Sequence, residues 1–224
     1  MDRHSLSRSA KPFTRAEFER GRGEILSQGR WANAVLYLFR SHGDVWVVKD
    51  FRPRSALVRE TIGRFLTKRE LRGLRRVAGI RGVPREVFRL DRHALAYRYV
   101  KGESIWRPGA EKLPAEFYAQ LERLLQQAHS RGIVHLDVRN ARNILLDEEG
   151  CPLLLDFQSH IGTRWLPRRL RALLEQFDLS GVYKHWAASH PDTLGEARTE
   201  VLNRMNRWRR FWVLRGYLGL PRFK

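Results

Sequence analysis

Asp137, Asn143 and Asp156 are the residues of this 224-residue chain whose types and spacing best fit metal-assisted chemistry. Asp137 follows the run Ile133-Val134-His135 and opens a polar loop. Asn143 lies six positions further on, directly before Ile144-Leu145-Leu146. Asp156 ends a second apolar run, Leu153-Leu154-Leu155. A hairpin turning at Asp147–Gly150 would bring all three side chains to one rim. Two carboxylates and a carboxamide suit a hard divalent cation, because Mg2+ takes oxygen ligands and keeps substrate phosphates in its shell. Phosphoryl transfer needs such a metal, a carboxylate to orient the attacking hydroxyl, and a cation on the phosphates.

Several elements must position these residues. Apolar runs at Ala34–Phe39 and Val45–Val48 flank Ser41-His42-Gly43-Asp44, a hairpin signature. Between Ser55 and Val77, the residues Leu57, Ile62, Phe65, Leu66, Leu71, Leu74 and Val77 recur at helical spacing. Gly79 and Gly82-Val83-Pro84 end that helix. Glu86–Leu90 and Ala94–Val100 read as two more strands, and Lys101-Gly102-Glu103 as a linker. Pro114 opens a long helix with Phe117, Leu121, Leu124, Leu125 and Ala128 on its apolar face. Short strands are expected at Ile133–His135, Asn143–Leu146 and Leu153–Phe157. The remainder, from Leu166, reads as helical and basic. The class is α+β. A weakly ordered basic arm leading into a short helix around Phe13–Arg20 is expected over residues 1–20, and a small, mostly antiparallel sheet lobe with one helix over 21–100. A larger, mostly helical lobe follows over 101–224.

Composition narrows the classes. Apolar residues make up 42%, enough for a packed core, which excludes a wholly disordered chain. No apolar run is long enough to span a bilayer, and the polar N-terminus does not read as a secretory signal. The single cysteine, Cys151, excludes an intrachain disulfide and a thiolate-rich metal site, so a cytoplasmic location is expected. The formal charge of +19 attracts polyanions: anionic lipid, lipopolysaccharide, nucleotide phosphates or nucleic acid. Near the C-terminus, Met205, Trp208 and Trp212 recur at helical spacing among Arg204, Arg207, Arg209 and Arg210. Such a helix either lies on an anionic membrane or packs its aromatics inward. Nucleic acid is the weakest of these readings, for want of a recognition motif.

The motif His135-Leu136-Asp137 followed by Asn143-Ile144-Leu145-Leu146, and then Leu155-Asp156-Phe157, resembles the catalytic and metal-binding loops of the protein-kinase-like superfamily. Over about residues 25–185 the chain is most similar to small bacterial members. These are the lipopolysaccharide core (Kdo/heptose) kinases and the RIO-like atypical Ser/Thr kinases. The resemblance implies a two-lobed kinase fold, ATP and Mg2+ as cofactors, and transfer of the γ-phosphate to a hydroxyl. It implies Asp137 as catalytic base, Asn143 and Asp156 as metal ligands, and Arg139 at the place of a phosphate-neutralising Lys. It also implies Lys49 as the nucleotide-binding Lys, paired with Glu70 or Glu60, of which Glu70 is preferred. Tyr99 and Val100 would form the hinge against adenine, and Gly29 would lie in the phosphate-covering loop.

The departures shape the acceptor. The loop from Asp137 to Asn143 is one residue longer than the common pattern, so Asn140 competes with Asn143. Leu136 replaces an Arg that grips a phosphorylated activation loop, and Gln158 replaces the Gly of D-F-G. The phosphate loop, Gln28 to Ala34, holds a single glycine. No A-P-E segment follows. Leu136 and Gln158 argue against switching by activation-loop phosphorylation, while the family resemblance, the missing A-P-E segment and the +19 charge favour a sugar of the lipopolysaccharide inner core, reached from the cytoplasmic face of the inner membrane. An atypical protein Ser/Thr kinase and a non-catalytic scaffold binding an anionic partner are the alternatives.

Overall fold

The protein is described by a computed structural model covering residues 11–21, 23–106 and 113–211, with the backbone only for residues 210 and 211. Two compact units emerge. One takes the described chain up to Gly79 together with Val83–Lys101 and Asp156–Gln158; the other takes Ile80–Gly82, Gly102–Leu155 and the described chain from Ser159. Two short segments, Ile80–Gly82 and Asp156–Gln158, belong to the unit opposite their chain neighbours.

The first unit is an antiparallel sheet with helices. Helix α1 (Arg15–Gly21) precedes β1 (Glu24–Ser27), β2 (Val35–Ser41) and β3 (Asp44–Asp50). A helical stretch follows: α2 (Ala56–Val58), a π turn (Arg59–Gly63) and α3 (Arg64–Val77). Strands β4 (Phe88–Arg89) and β5 (Ala94–Arg98) complete a five-stranded sheet in the order β1-β2-β3-β5-β4. Successive side chains of a strand point to opposite faces, and β3 uses both. Trp46 and Val48 join Phe13, Phe18 and Phe39 in one apolar cluster, while Val47 joins Leu71, Leu95 and Tyr97 in another. Lys49 alternates with Val48 and so shares the face of Val47, toward α3.

Several expectations are corrected. The short helix expected around Phe13–Arg20 is α1, but the segment is anchored rather than weakly ordered: the Phe13 ring is 1% exposed, and Arg15 pairs with Asp50 and Asp91. The expected strand at Glu86–Leu90 shrinks to Phe88–Arg89, after Glu86 takes a positive φ of 51°. The helical stripe also slips. Leu57 and Phe65 are exposed, because the π turn adds a residue and shifts the 3.6-residue register. Beyond it, Leu66, Glu70 and Leu74 share one buried face at intervals of four.

The second unit is mostly helical. Strand β6 (Gly102–Ser104), expected as linker, pairs antiparallel with β8 (Ile144–Asp147), which pairs with β9 (Pro152–Leu154). Helix α4 (Ala115–Ser130) buries Phe117, Leu121, Leu124, Leu125 and Ala128, the face expected from spacing. Strand β7 (Ile133–Val134) pairs with β10 (Ile161–Gly162). Helix α5 (Arg168–Ser189) packs on α4, and α7 (Glu196–Phe211) packs on α5 beyond the short α6 (Pro191–Leu194). The expected strand through Phe157 ends at Leu154. Asp156 takes a positive φ of 63°, and Phe157–Ser159 forms a 3-10 turn.

Candidate functional site

In the first unit, Lys49 is the centre of a buried ion cluster. Its Nζ donates to Glu70 Oε1 at 2.7 Å and to Asp156 Oδ1 at 2.8 Å. Burying an ion costs several kcal/mol unless it is paired, and here one ammonium faces two carboxylates. Burial opposes the lysine charge, but Asp156 and Glu70 outweigh it and hold the ammonium above the usual lysine range. Burial pushes the Glu70 carboxyl up, against the pull of Lys49, and Asp156 adds repulsion. Glu60 is no partner of Lys49; it lies 3.0 Å from His93 and pairs with Arg59. Gln158 also hydrogen-bonds Glu70. A residue expected only as a departure from glycine thus helps hold the glutamate.

Gly29 sits between β1 and β2 with a positive φ of 61°, and a Cβ there would lie 2.4 Å from the Ala34 carbonyl oxygen. Only glycine meets both demands without strain. Arg54 closes this loop, donating to the carbonyls of Gln28 and of Asn33. Tyr99 donates its backbone N–H to Val45 at 2.9 Å. That amide is therefore committed to the sheet.

In the second unit, the chain turns sharply after β7. Asn143, 6% exposed, donates its Nδ2 to Asp137 Oδ2 at 2.8 Å and to the Asp137 carbonyl at 3.1 Å. Its Oδ1 is thereby turned outward from Asp137. Asn140 stands further off, 3.5 Å from Asp137 Oδ2 and 3.4 Å from Asn143 Oδ1. Leu155, the residue before Asp156, accepts at its carbonyl from buried His135 Nε2 at 2.9 Å and donates its N–H to Asn143 at 2.8 Å. His135 is therefore a brace of the hairpin, as its sequence context suggests. Among the described residues no three His, Cys, Asp or Glu side chains form a metal cage. Within its own unit, each of Asp156 and Asn143 offers an oxygen of the hard type that Mg2+ takes.

Sequence reading missed Asp178. This carboxylate, 1% exposed in α5, accepts the backbone N–H groups of His135 and Leu136, each at 2.6 Å, and lies 3.1 Å from His129 Nε2. Leu136 has a positive φ of 66°, a conformation costing about 1–2 kcal/mol for an L residue. The charge-assisted bonds to Asp178 offset that cost. The available signal was an acid set between the apolar Phe177 and Leu179.

Arg139 is half-buried, and its guanidinium reaches the Ser180 carbonyl at 3.4 Å and Asn206 Oδ1 at 3.2 Å. Burial, with Arg209 nearby, lowers it to about 10. These two bonds tie Arg139 to α5 and α7. In α7, Met205 is fully buried while Trp208 is 51% exposed. Trp212 lies outside the described residues.

An antiparallel sheet carrying a Lys–Glu pair, and a helical unit with an Asp–Asn loop and hairpin, are parts of the protein-kinase-like fold. Solved structures agree on that fold. The Rio2 kinase from Chaetomium thermophilum aligns with a TM-score of 0.56 at 16% identity, covering 88% of this chain and 77% of its own. The same kinase in an ADP/Mg2+-phosphoaspartate complex aligns with a TM-score of 0.54 at 16% identity, covering 88% and 75%. No protein-family model matches the sequence, and no curated protein matches it significantly.

Proposed function

We propose that the chain is an ATP- and Mg2+-dependent phosphotransferase with a hydroxyl acceptor. The observation that carries this reading is the buried Lys49–Glu70 pair with Asp156 on the same ammonium. Two carboxylates offset the cost of burying this ammonium, and a lysine so fixed is suited to neutralising nucleotide phosphates. The neighbour solved with ADP and Mg2+ supports these ligands. Lys49 binds the α/β-phosphates and Glu70 fixes its position. Asp156 and Asn143 supply oxygen ligands to Mg2+, which neutralises phosphate charge when bound. Asp137 accepts a hydrogen bond from the acceptor hydroxyl and orients it, while Asn143 holds the Asp137 carboxylate. Gly29 lets the phosphate loop approach, and Tyr99 with Val100 meets the adenine. Positioning and charge neutralisation supply most of the rate gain.

For the acceptor we favour a sugar of the lipopolysaccharide inner core. The +19 charge and the lack of an A-P-E segment support it. The test is label transfer from γ-labelled ATP into a bacterial extract split into glycolipid and protein fractions, with Asp137→Ala as blank. Glycolipid label that vanishes in the variant is the expected result. Label confined to protein replaces the sugar acceptor with a protein one, and mutant-insensitive label in both fractions removes the phosphotransferase reading.

A further inference from the structure

Arg142 stands one position before Asn143, in the 3-10 turn Ala141–Asn143. Its guanidinium carbon lies 4.0 Å from the centroid of the Trp106 ring. Two further links tie Trp106 to this turn. The Trp106 N–H donates to Ser104 Oγ at 3.2 Å, and the Ser104 hydroxyl donates to the Ala141 carbonyl at 3.1 Å. Arg142 is itself anchored toward the proposed base: its backbone N–H donates to Asn140 Oδ1 at 3.3 Å, and Asn140 reaches Asp137. Trp106 is nonetheless 54% exposed, so the pair stands open to solvent.

The charge on Arg142 is not cancelled. Three other arginines of this unit have carboxylate partners, Arg123 with Glu116, Arg171 with Glu175 and Arg198 with Glu122. Among the described residues none pairs with Arg142; its guanidinium contact is the indole. Stacking occupies one face of the guanidinium plane and leaves its in-plane N–H donors available. A braced, planar fork of donors is the geometry that takes a carboxylate or phosphate through two parallel hydrogen bonds.

We propose that Arg142, braced by Trp106, seats an oxyanion, a carboxylate or a phosphate, carried by the acceptor sugar beside the hydroxyl that Asp137 orients. The subsite rests on the phosphotransferase reading for its meaning, but its binding is measured without turnover. The Trp106 indole N–H is followed in two-dimensional 1H–15N spectra of the full chain, identified by its loss in Trp106→Phe. D-glucuronate, its neutral methyl ester and glucose 1-phosphate are each added. The expected result is a saturable shift with an anion and none with the ester; which anion acts tells carboxylate from phosphate. Arg142→Ala weakens the apparent affinity by about tenfold or more, and Arg142→Lys, which keeps charge without the fork, falls between. A signal indifferent to both anions, or equally responsive to the ester, overturns the proposal. So does an equal response in Arg142→Ala. Because ATP is absent, failure here leaves phosphotransfer standing, and failed label transfer leaves this binding result standing.

Discussion

Lys49 is held by opposing demands that a single substitution separates. Lys49→Met leaves Glu70 buried without its cation and is expected to lower stability by about 3–5 kcal/mol. The loss must depend on pH. Glu70 has a folded-state value raised by burial, so its contribution is fully present below the unfolded value and is lost as pH rises through the folded one. In wild type Lys49 counters this; in Lys49→Met nothing does. Urea midpoints at pH 5 and pH 8 should therefore diverge in the variant, with the lower stability at pH 8. Adding Glu70→Gln should restore part of the loss, and a double variant no more stable than Lys49→Met would contradict the pairing. At the same scale, Gln158→Ala is expected to raise KM for ATP severalfold by loosening Glu70, with kcat less affected.

The catalytic loop is an element whose shape is set from a distance. Asp178 holds the His135 and Leu136 amides from α5. Asp178→Ala orphans two buried donors and is expected to cost about 2–5 kcal/mol, measured by chemical denaturation, with turnover falling as Asp137 loses its fixed position. His185, also on α5, lies 3.2 Å from the Val138 carbonyl. Burial, with Lys184 beside it, lowers its ring to about 4. Its stability contribution is full above the unfolded value of about 6.5 and is lost as pH falls toward 4. His185→Gln should flatten that acid loss, a prediction checked by thermal melts between pH 7 and pH 4.

The same elements explain what could be read from sequence. The β2–β3 hairpin, the face of α4 and the β8–β9 hairpin obey local periodicity, and Asp137, Asn143 and Asp156 stand at their ends. Lys49 is legible because it closes an apolar strand. Glu70 is only half legible: two glutamates lie on the helix, and the π turn that fixes its face leaves no mark in the spacing. Asp178 and Gln158 act across long sequence separations, which no local pattern encodes. Strand β6 was hidden because its three residues, Gly102–Ser104, have no apolar alternation; pairing with β8 alone makes them a strand. Phe13 was misread because its burial depends on rings brought from β2, β3 and β4.

Across the whole molecule, charge is the dominant feature. Arg164, Arg168 and Arg169 are exposed around Trp165, which is 78% exposed. Arg168 and Arg169 lie in the first turn of α5, where the helix dipole disfavours cations, so an anionic surface would relieve them. No helix among the described residues is long and apolar enough to cross a membrane. Co-sedimentation with vesicles containing phosphatidylglycerol should fall steeply between about 50 and 300 mM salt. Replacing the three arginines by glutamine should reduce it; unchanged retention would point to another surface.

In the proposed mechanism Asp137, supported by Asn143, orients the acceptor for phosphoryl transfer from a nucleotide held by Lys49. The most direct measurement is Mg2+-dependent transfer of the ATP γ-phosphate by wild type, Asp137→Asn and Asn143→Ala, alongside ATP binding for each. The predicted result is that Asp137→Asn binds ATP like wild type but transfers about 100-fold or more slowly. Transfer by Asp137→Asn at the wild-type rate would contradict the account.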